Sequence, residues 1–409
     1  MPNKPNILLI GGSSDLGREL SKNLNQDYVV HNFDLKNANF NCSHFIAGNI
    51  TELKDLQFLQ NSNYDIIIHI SGVHPILNQN NDQLMYDVNV NGLENVLKQV
   101  VKKSKATKFI YISSSSVKKA DTNFYGKTKL LAEQKIEFYQ KQYPEIFNQV
   151  YVLRTRGFTP YYSPSYKGDF KSYFEWVLGG SVHIKDVVNC IVLAIKNNQL
   201  IFDTIYVEGK NDFVDNELQN FENTLKTKYS QYLNLLNQIK ITTPLYTTID
   251  KNSLNYLPQY GINYILTIEY PEFENNYKNL DQILDSIKKL NTNWSNLQTE
   301  EYKSQLKKIG DNFYSYFFSY SDLDPNKASV LAYTIMMADD QIKNTLILYY
   351  VDFCINISDI KLQDMYGGIL SVVANSLDKK IIKNKLKYIS LDNQRKYGSH
   401  FISFLRNYI

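Results

Sequence analysis

The chain is poor in several residues, and each shortage excludes something. Cysteine occurs three times in 409 residues, at Cys42, Cys190 and Cys354. Three widely spaced cysteines exclude a disulfide framework and a cysteine-rich zinc site, and fit a reducing compartment. Histidine occurs six times, and the second half holds His400 alone. That excludes a multi-histidine zinc site there and leaves Cys354 and His400 a poor nucleophile pair. Charge of one sign is also lacking, with 44 basic against 41 acidic side chains and a formal charge of +3. No basic excess is available to displace counterions from phosphates, so no nucleic-acid partner is expected. No apolar run approaches the roughly 18 residues of a membrane span. Met1 to Asn6 is short and polar, and the four apolar residues Ile7–Ile10 are too few for a signal-peptide core. A cytoplasmic address is expected, with a processed organellar form kept open. Tryptophan occurs twice, against 32 Tyr and 21 Phe. This skew is read first as a bias toward Asn, Lys, Ile and Tyr rather than as an aromatic binding surface.

What is present is enough to fold. The hydrophobic fraction is 43%, which rules out a wholly disordered chain, and the length predicts two or three domains. Short apolar strands are expected at 5–10, 28–34, 65–70, 108–112, 151–154 and 204–207. Helical patterns fall between them at 16–25, 83–103, 124–140 and 185–197. Alternation of this kind predicts an α/β fold with a Rossmann-type, doubly wound parallel sheet. Near residue 214 the texture changes. Residues 215–240 look helical, and 241–275 look irregular. Further helices are expected near 279–290, 297–320, 327–356, 359–377 and 392–407. The expected domains are 1–214 and a mainly helical 215–409.

Between the first strand and first helix lies Gly11-Gly12-Ser13-Ser14-Asp15-Leu16-Gly17. A strand, a glycine turn and a helix N-terminus together form an anion site, with backbone N–H groups and the positive dipole end facing a pyrophosphate. Gly11 would allow the tight turn and Gly17 the close helix–sheet packing. The middle position is Ser14 or Asp15, not glycine. Ser14 adds a hydroxyl donor; the Asp15 carboxylate must face away from phosphate or bond to backbone. Asp34 ends the second strand, where an acid accepts ribose hydroxyls and repels a 2′-phosphate, unless a base such as Lys36 compensates. NAD is favoured over NADP.

Tyr125-Gly126-Lys127-Thr128-Lys129 opens a helical run. A Tyr and a Lys four apart share one helix face. The ammonium is expected to lower the phenol pKa toward working pH, as a general acid/base requires. Ser113–Ser116 follow the fourth strand and offer a hydroxyl for a substrate oxygen. In a chain with 32 Tyr the Tyr-x-x-x-Lys spacing alone is close to noise.

The ordered set of glycine turn, Asp34, serine run and Tyr-x-x-x-Lys resembles the extended branch of the short-chain dehydrogenase/reductase superfamily, the NAD-dependent epimerase/dehydratase family. Further segments are similar: Ala47-Gly48-Asn49-Ile50-Thr51, where Asn49 stands for the family's Asp beside the adenine; Asp65 to Gly72, with Ser71-Gly72 for two alanines; Asn89 to Leu97; Tyr125 to Glu133; Leu153-Arg154; and Val182 to Val187. The resemblance covers about residues 5–213. It implies NAD held by Gly11, Ser13, Ser14, Asp15, Leu16, Gly17, Asp34, Asn49, Ile50, Ser71, Gly72 and Lys129. It implies catalysis by Ser114, Tyr125 and Lys129 on a small-molecule substrate, a sugar and in particular a nucleotide sugar. It also implies a homodimer through helices such as 83–103 and 124–140. His69 reads as a buried strand residue, and His74 lies near the nicotinamide end.

Departures concern the substrate half. Between Arg154 and His183 lie 28 residues, fewer than nucleotide-sugar enzymes usually carry. Val117-Lys118-Lys119 replaces Val-Tyr-Gly, and Arg154 to Pro160 lacks the usual motif. In the second half, Asp339-Asp340 and the aromatic run 312–320 read as a polar helix face and core packing, and Gly367-Gly368 as a helix break. The leading expectation is an NAD-dependent epimerase, dehydratase or reductase. The alternative is a non-catalytic, dinucleotide-binding structural or accessory subunit.

Overall fold

The computed structural model describes residues 4–35, 42–75, 81–103, 105–161, 163, 169–244, 252–275, 354, 360–373 and 399–406. The expectations for Lys36, for 312–320, for Asp339-Asp340 and for helices at 279–290, 297–320 and most of 327–356 fall outside these residues. The chain divides into two compact units, 1–160 with 171–267, and 161–170 with 268–409.

In the first unit, β1 (Asn6–Ile10), β2 (Val29–Asp34), β3 (His44–Ala47), β4 (Ile66–His69), β5 (Lys108–Ser114), β6 (Gln149–Thr155) and β7 (Ile201–Val207) form one seven-stranded sheet in the order 3-2-1-4-5-6-7. Every pairing is parallel. The helices are α1 (Asp15–Leu24), α2 (Asp82–Tyr86), α3 (Leu93–Val100), α4 (Phe124–Gln142), α5 (Phe170–Leu178) and α6 (Ile184–Lys196). A π-helical turn, Asp87–Gly92, joins α2 to α3.

The strands are continuous apolar runs because both faces are covered. Ile7 and Leu9 enter one core cluster with Ile66, Ile68, Ile110, Ile112, Tyr151 and Leu153. Leu8 and Ile10 enter the other with Ile67, Phe109, Tyr111, Val150 and Val152. This is the period-two alternation of a strand, with both sets of residues apolar. Leu16, Leu20 and Leu24 repeat every fourth residue along α1 and are all buried against the first cluster.

The strand order reverses at β1, which has β2 on one side and β4 on the other. The carboxyl ends of β1 and β4 therefore diverge into connections on opposite sides, and that crevice is where an open α/β sheet takes a ligand.

The first unit continues past residue 214, where the texture of the sequence changes. It includes α7 (Asp215–Leu218), α8 (Phe221–Lys228), α9 (Leu233–Leu236) and the single turn α10 (Ile262–Tyr264). Leu254 and Tyr256 belong to the core cluster under α6. In the second unit, α11 (Ile360–Val373) and α12 (Ser399–Arg406) are described. The glycine pair expected to break a helix instead lies inside α11. A Cβ at Gly367 would stand 2.4 Å from the Phe401 backbone N, so this glycine permits a close helix crossing. No described helix is long and apolar enough to cross a membrane.

Candidate active site

The turn after β1 is built without room for side chains. Gly11 has φ +85°, in the left-handed region that disfavours a Cβ. A Cβ at Gly17 would lie 2.2 Å from the Gly12 carbonyl oxygen, so helix α1 starts hard against the turn. Ser14 is the N-cap of α1. Its hydroxyl donates to the Gly11 carbonyl at 2.8 Å and accepts from Gly17 N–H at 3.3 Å. The hydroxyl expected to face phosphate is thus engaged in shaping the turn. Asp15 pairs with Arg18 rather than with backbone, and Arg18 also donates to the Ser13 carbonyl at 3.1 Å. The negative charge feared at this position is matched by a cation one turn on.

Asp34 ends β2 beside this turn. Its Oδ2 accepts from Ser13 N–H at 3.0 Å and its Oδ1 from Leu35 N–H at 2.7 Å. Both carboxylate oxygens are thereby oriented at the carboxyl end of β2. Asn49 uses its side-chain oxygen to accept from Thr51 N–H at 3.0 Å, and its own N–H is held by Asp55 at 2.9 Å. Ile50 points its side chain into the core, and its carbonyl accepts from Asn95 Nδ2 at 3.1 Å.

Ser71 and Gly72 leave β4 across the crevice from Gly11. Ser71 N–H donates to the Ile10 carbonyl at 2.9 Å. Asn89, on the π-helical turn, brackets the next residue: its oxygen accepts from Val73 N–H at 2.7 Å, and its amide donates to the Val73 carbonyl at 3.0 Å and to Thr128 Oγ1 at 3.1 Å. The wider turn aims this amide inward and ties the loop to α4. A Cβ at Gly72 would sit 3.2 Å from Lys129 Nζ, so the loop and the lysine are adjacent.

Helix α4 begins at the Asn123 cap, whose side chain accepts from Gly126 N–H at 2.9 Å. A Cβ at Gly126 would lie 2.2 Å from the Ser116 carbonyl oxygen. The glycine after Tyr125 lets the serine turn and the helix start touch, and the Ser114 side chain lies near enough to the Tyr125 phenol to favour its ionised form. Lys129 lies one turn further, buried, with Nζ donating to the Ile112 carbonyl at 2.9 Å and lying 4.8 Å from the Tyr111 ring centroid and 5.9 Å from that of Tyr125. The structure therefore brings Ser114, Tyr125 and Lys129 together, beside Ser71 and Gly72.

The electrostatics differ from the sequence expectation in one respect. Burial pushes the Tyr125 phenol up to about 12, and the neighbouring Ser114 side chain offsets only part of this. The lysine, expected to lower it, has its ammonium directed at the Ile112 carbonyl. Burial in turn pulls Lys129 down to about 8, against the opposing attraction of Glu133. His69 is fully buried, and burial with repulsion from Lys129 takes it down to about 3, so it is neutral at working pH. The His74 ring packs on Tyr125, centroids 4.9 Å apart, and is pulled down by burial and then by Lys129.

Two features go beyond what the sequence resemblance implies for them. Asn89 was visible as part of a similar segment, but its grip on Val73 was not. Glu133, one turn beyond Lys129, accepts from Ser113 Oγ at 2.5 Å and from Arg154 Nε and Nη2 at 3.0 and 2.6 Å. Its spacing from Lys129 was the available signal.

Comparison with known proteins agrees with this geometry. The family model described as "NAD dependent epimerase/dehydratase family" matches residues 7–161. This stretch of the chain matches that family. The match spans the glycine turn, Asp34, Ser114, Tyr125 and Lys129. No curated protein matches. Among solved structures, a short-chain dehydrogenase/reductase superfamily protein from Agrobacterium tumefaciens with bound NAD is 15% identical. The alignment covers 68% of this chain and 99% of that one, with a TM-score of 0.53. A variant of UDP-glucuronic acid 4-epimerase from Bacillus cereus, in complex with UDP-4-deoxy-4-fluoro-glucuronic acid and NAD, is 18% identical, covering 66% and 99%, with a TM-score of 0.50. At these identities the likeness shows the fold alone.

Proposed function

We propose that this protein binds NAD in the crevice between β1 and β4 and transfers hydride to or from a carbinol carbon of a small-molecule substrate. The observation that carries the reading is the convergence of Ser114, Tyr125 and buried Lys129 at the carboxyl edge of the sheet, next to the Gly11–Gly17 turn. The turn and the N-terminus of α1 would face the pyrophosphate, Asp34 the adenosine ribose, Asn49 and Ile50 the adenine, and Ser71, Gly72 and Lys129 the nicotinamide ribose. Asp34 would repel a 2′-phosphate, which favours NAD over NADP. When bound, NAD supplies the hydride acceptor.

Ser114 would hold the substrate oxygen, and Tyr125 would take or return its proton. A phenol at about 12 is a weak base at neutral pH. The lysine ammonium and a cationic nicotinamide both favour the phenolate, so proton transfer should be competent only in the loaded site. The fold likeness to a UDP-glucuronic acid 4-epimerase supports a sugar, in particular a nucleotide sugar, as the substrate class. A homodimer packing α4 against its symmetry mate would cover Phe138, which is 59% exposed on that helix.

The test is turnover of nucleotide sugars by the purified protein with NAD, against Tyr125→Phe and Lys129→Met. We expect Tyr125→Phe to bind NAD normally and lose about 100-fold or more in rate, the scale of general acid–base catalysis. Tight NAD binding with no turnover, unchanged by Tyr125→Phe, would instead favour a structural dinucleotide-binding subunit.

A further inference from the structure

We propose that Glu133 is a positioning residue for the tyrosine–lysine pair: clamped by Ser113 and Arg154, it fixes a negative charge one helical turn from Lys129 and keeps that side chain an ammonium in a buried site. The inference rests on the proposed function for its purpose, but not for its test.

The geometry is that of a fixed charge. Glu133 is buried at 7% exposure, and a bare carboxylate there would be costly. It is held from two strands: β5 gives the Ser113 hydroxyl and β6 the Arg154 guanidinium, bound through two nitrogens. Arg154 is itself held by Tyr206 of β7, to whose phenol oxygen its Nη1 donates at 2.7 Å. The carboxylate is therefore held away from water by partners on two strands. Lys129 and Glu133 lie four apart on α4 and share its inner face.

The groups around Lys129 explain why such a charge is required. Tyr111 and Tyr125 contribute ring faces, and the Ile112 carbonyl accepts one N–H. From β4 and the loop after it, His69 and His74 are both disfavoured as cations by Lys129. Tyr125 is a neutral phenol until it ionises. Among these groups Glu133 supplies the attraction that opposes burial at Lys129. Without it a buried lysine drifts toward the neutral amine, and a neutral amine neither favours a phenolate at Tyr125 nor donates as strongly to a ribose.

The experiment follows the Lys129 side-chain titration by NMR of full-length protein labelled at lysine Cε, with Lys129→Met giving the assignment. The wild-type midpoint should lie near 8. Glu133→Gln should lower it by about one pH unit or more, the effect of one opposite charge at short range. Glu133→Asp keeps the charge and should largely restore the midpoint. Glu133→Gln strands a partly buried Arg154, so a second variant, Glu133→Gln with Arg154→Met, removes both members and should show the same drop in a folded protein. An unchanged midpoint in either folded Glu133→Gln background overturns the proposal. The readout needs neither nucleotide nor turnover, so an inactive wild type would count against the proposed reaction alone. Where activity is present, the acidic shift should also move the alkaline limb of the pH–rate profile by the same amount.

Discussion

At the scale of single residues, the site depends as much on missing atoms as on functional groups. Gly17 shows this most directly. Its missing Cβ would be 2.2 Å from a backbone oxygen at Gly12, with 2.5 Å to the carbonyl carbon and Cα of the same residue. Backbone cannot swing aside as a flexible side chain can. Gly17→Ala must therefore push α1 away from the turn, at a cost of about 1–3 kcal/mol for overpacking. The displaced helix N-terminus should also lose its alignment with a pyrophosphate. We expect a lower melting temperature and NAD affinity reduced at least tenfold, read by thermal denaturation and isothermal titration calorimetry. Wild-type affinity in Gly17→Ala would show that the contact yields without consequence. The glycine, Asp34, Ser114, Tyr125 and Lys129 were legible because backbone approach and proton transfer demand particular residue types at particular spacings. The Ser14 cap, the Arg18 partner of Asp15 and the direction of the Lys129 ammonium were not. They depend on rotamers and on which neighbour the fold brings near, and sequence order does not encode those.

At the scale of elements, the central strands were legible because both of their faces are buried and their residues read as unbroken apolar runs. The edge strand β3 was missed. Of its four residues, His44 and Ala47 are exposed and Phe45 and Ile46 only half-buried, so no long apolar run marks it. Helix α5 was missed because its aromatic residues give no clear 3.6-residue period in a short stretch. Helix α6 was found, but the reason for its acid at the N-terminus was not. Asp186 is fully buried, and its two oxygens accept from the N–H groups of Gln259 at 2.7 Å and Tyr260 at 3.1 Å. These partners lie more than 70 residues away in the chain. Burial still dominates and raises Asp186 from 3.8 to about 6, against the lowering effect of the two N–H groups. The folded pKa lies above the unfolded one, so the folded state binds the extra proton between about pH 4 and 6. The stability this group contributes is therefore complete below pH 4 and is lost as pH rises through 6, to a total of about 3 kcal/mol. Asp186→Asn cannot titrate and also turns an amide N–H₂ toward a backbone donor. The penalty of Asp186→Asn should thus be larger at pH 5 than at pH 7.5. Urea denaturation of both proteins at the two pH values measures it, and a penalty that grows with pH would refute the sign.

At the scale of the whole molecule, the clasp at Asp186 bears on where the first folding unit ends. Composition places the change in texture near residue 214, and everything the family model matches lies before it. The physical connections run further. Asp212 Oδ2 accepts from Asn263 N–H at 2.8 Å, and the Tyr256 phenol donates to the Glu208 carbonyl at 3.0 Å. A Cβ at Gly261 would lie 2.2 Å from that same Asp212 oxygen, so this glycine admits the carboxylate to the start of α10. Lys185 Nζ is bonded to the Tyr264 phenol at 2.5 Å, and the His183 ring packs on both Tyr260 and Tyr264 at about 5 Å between centroids. Leu254 and Tyr256 fill the core beside α6. Cutting after residue 214 would expose these two side chains' partners in the core and leave two carboxylates without the backbone donors they hold. Each large buried side chain lost is worth about 2–5 kcal/mol, which together rivals the whole stability of a typical domain. A fragment of residues 1–275 retains every one of these contacts, and a fragment of residues 1–214 retains none. The longer fragment should melt cooperatively and bind NAD, whereas the shorter should be insoluble or melt at least 10 °C lower. Equal stability of the two, by calorimetry, would place the boundary where composition alone puts it and reduce the 252–264 clasp to surface decoration.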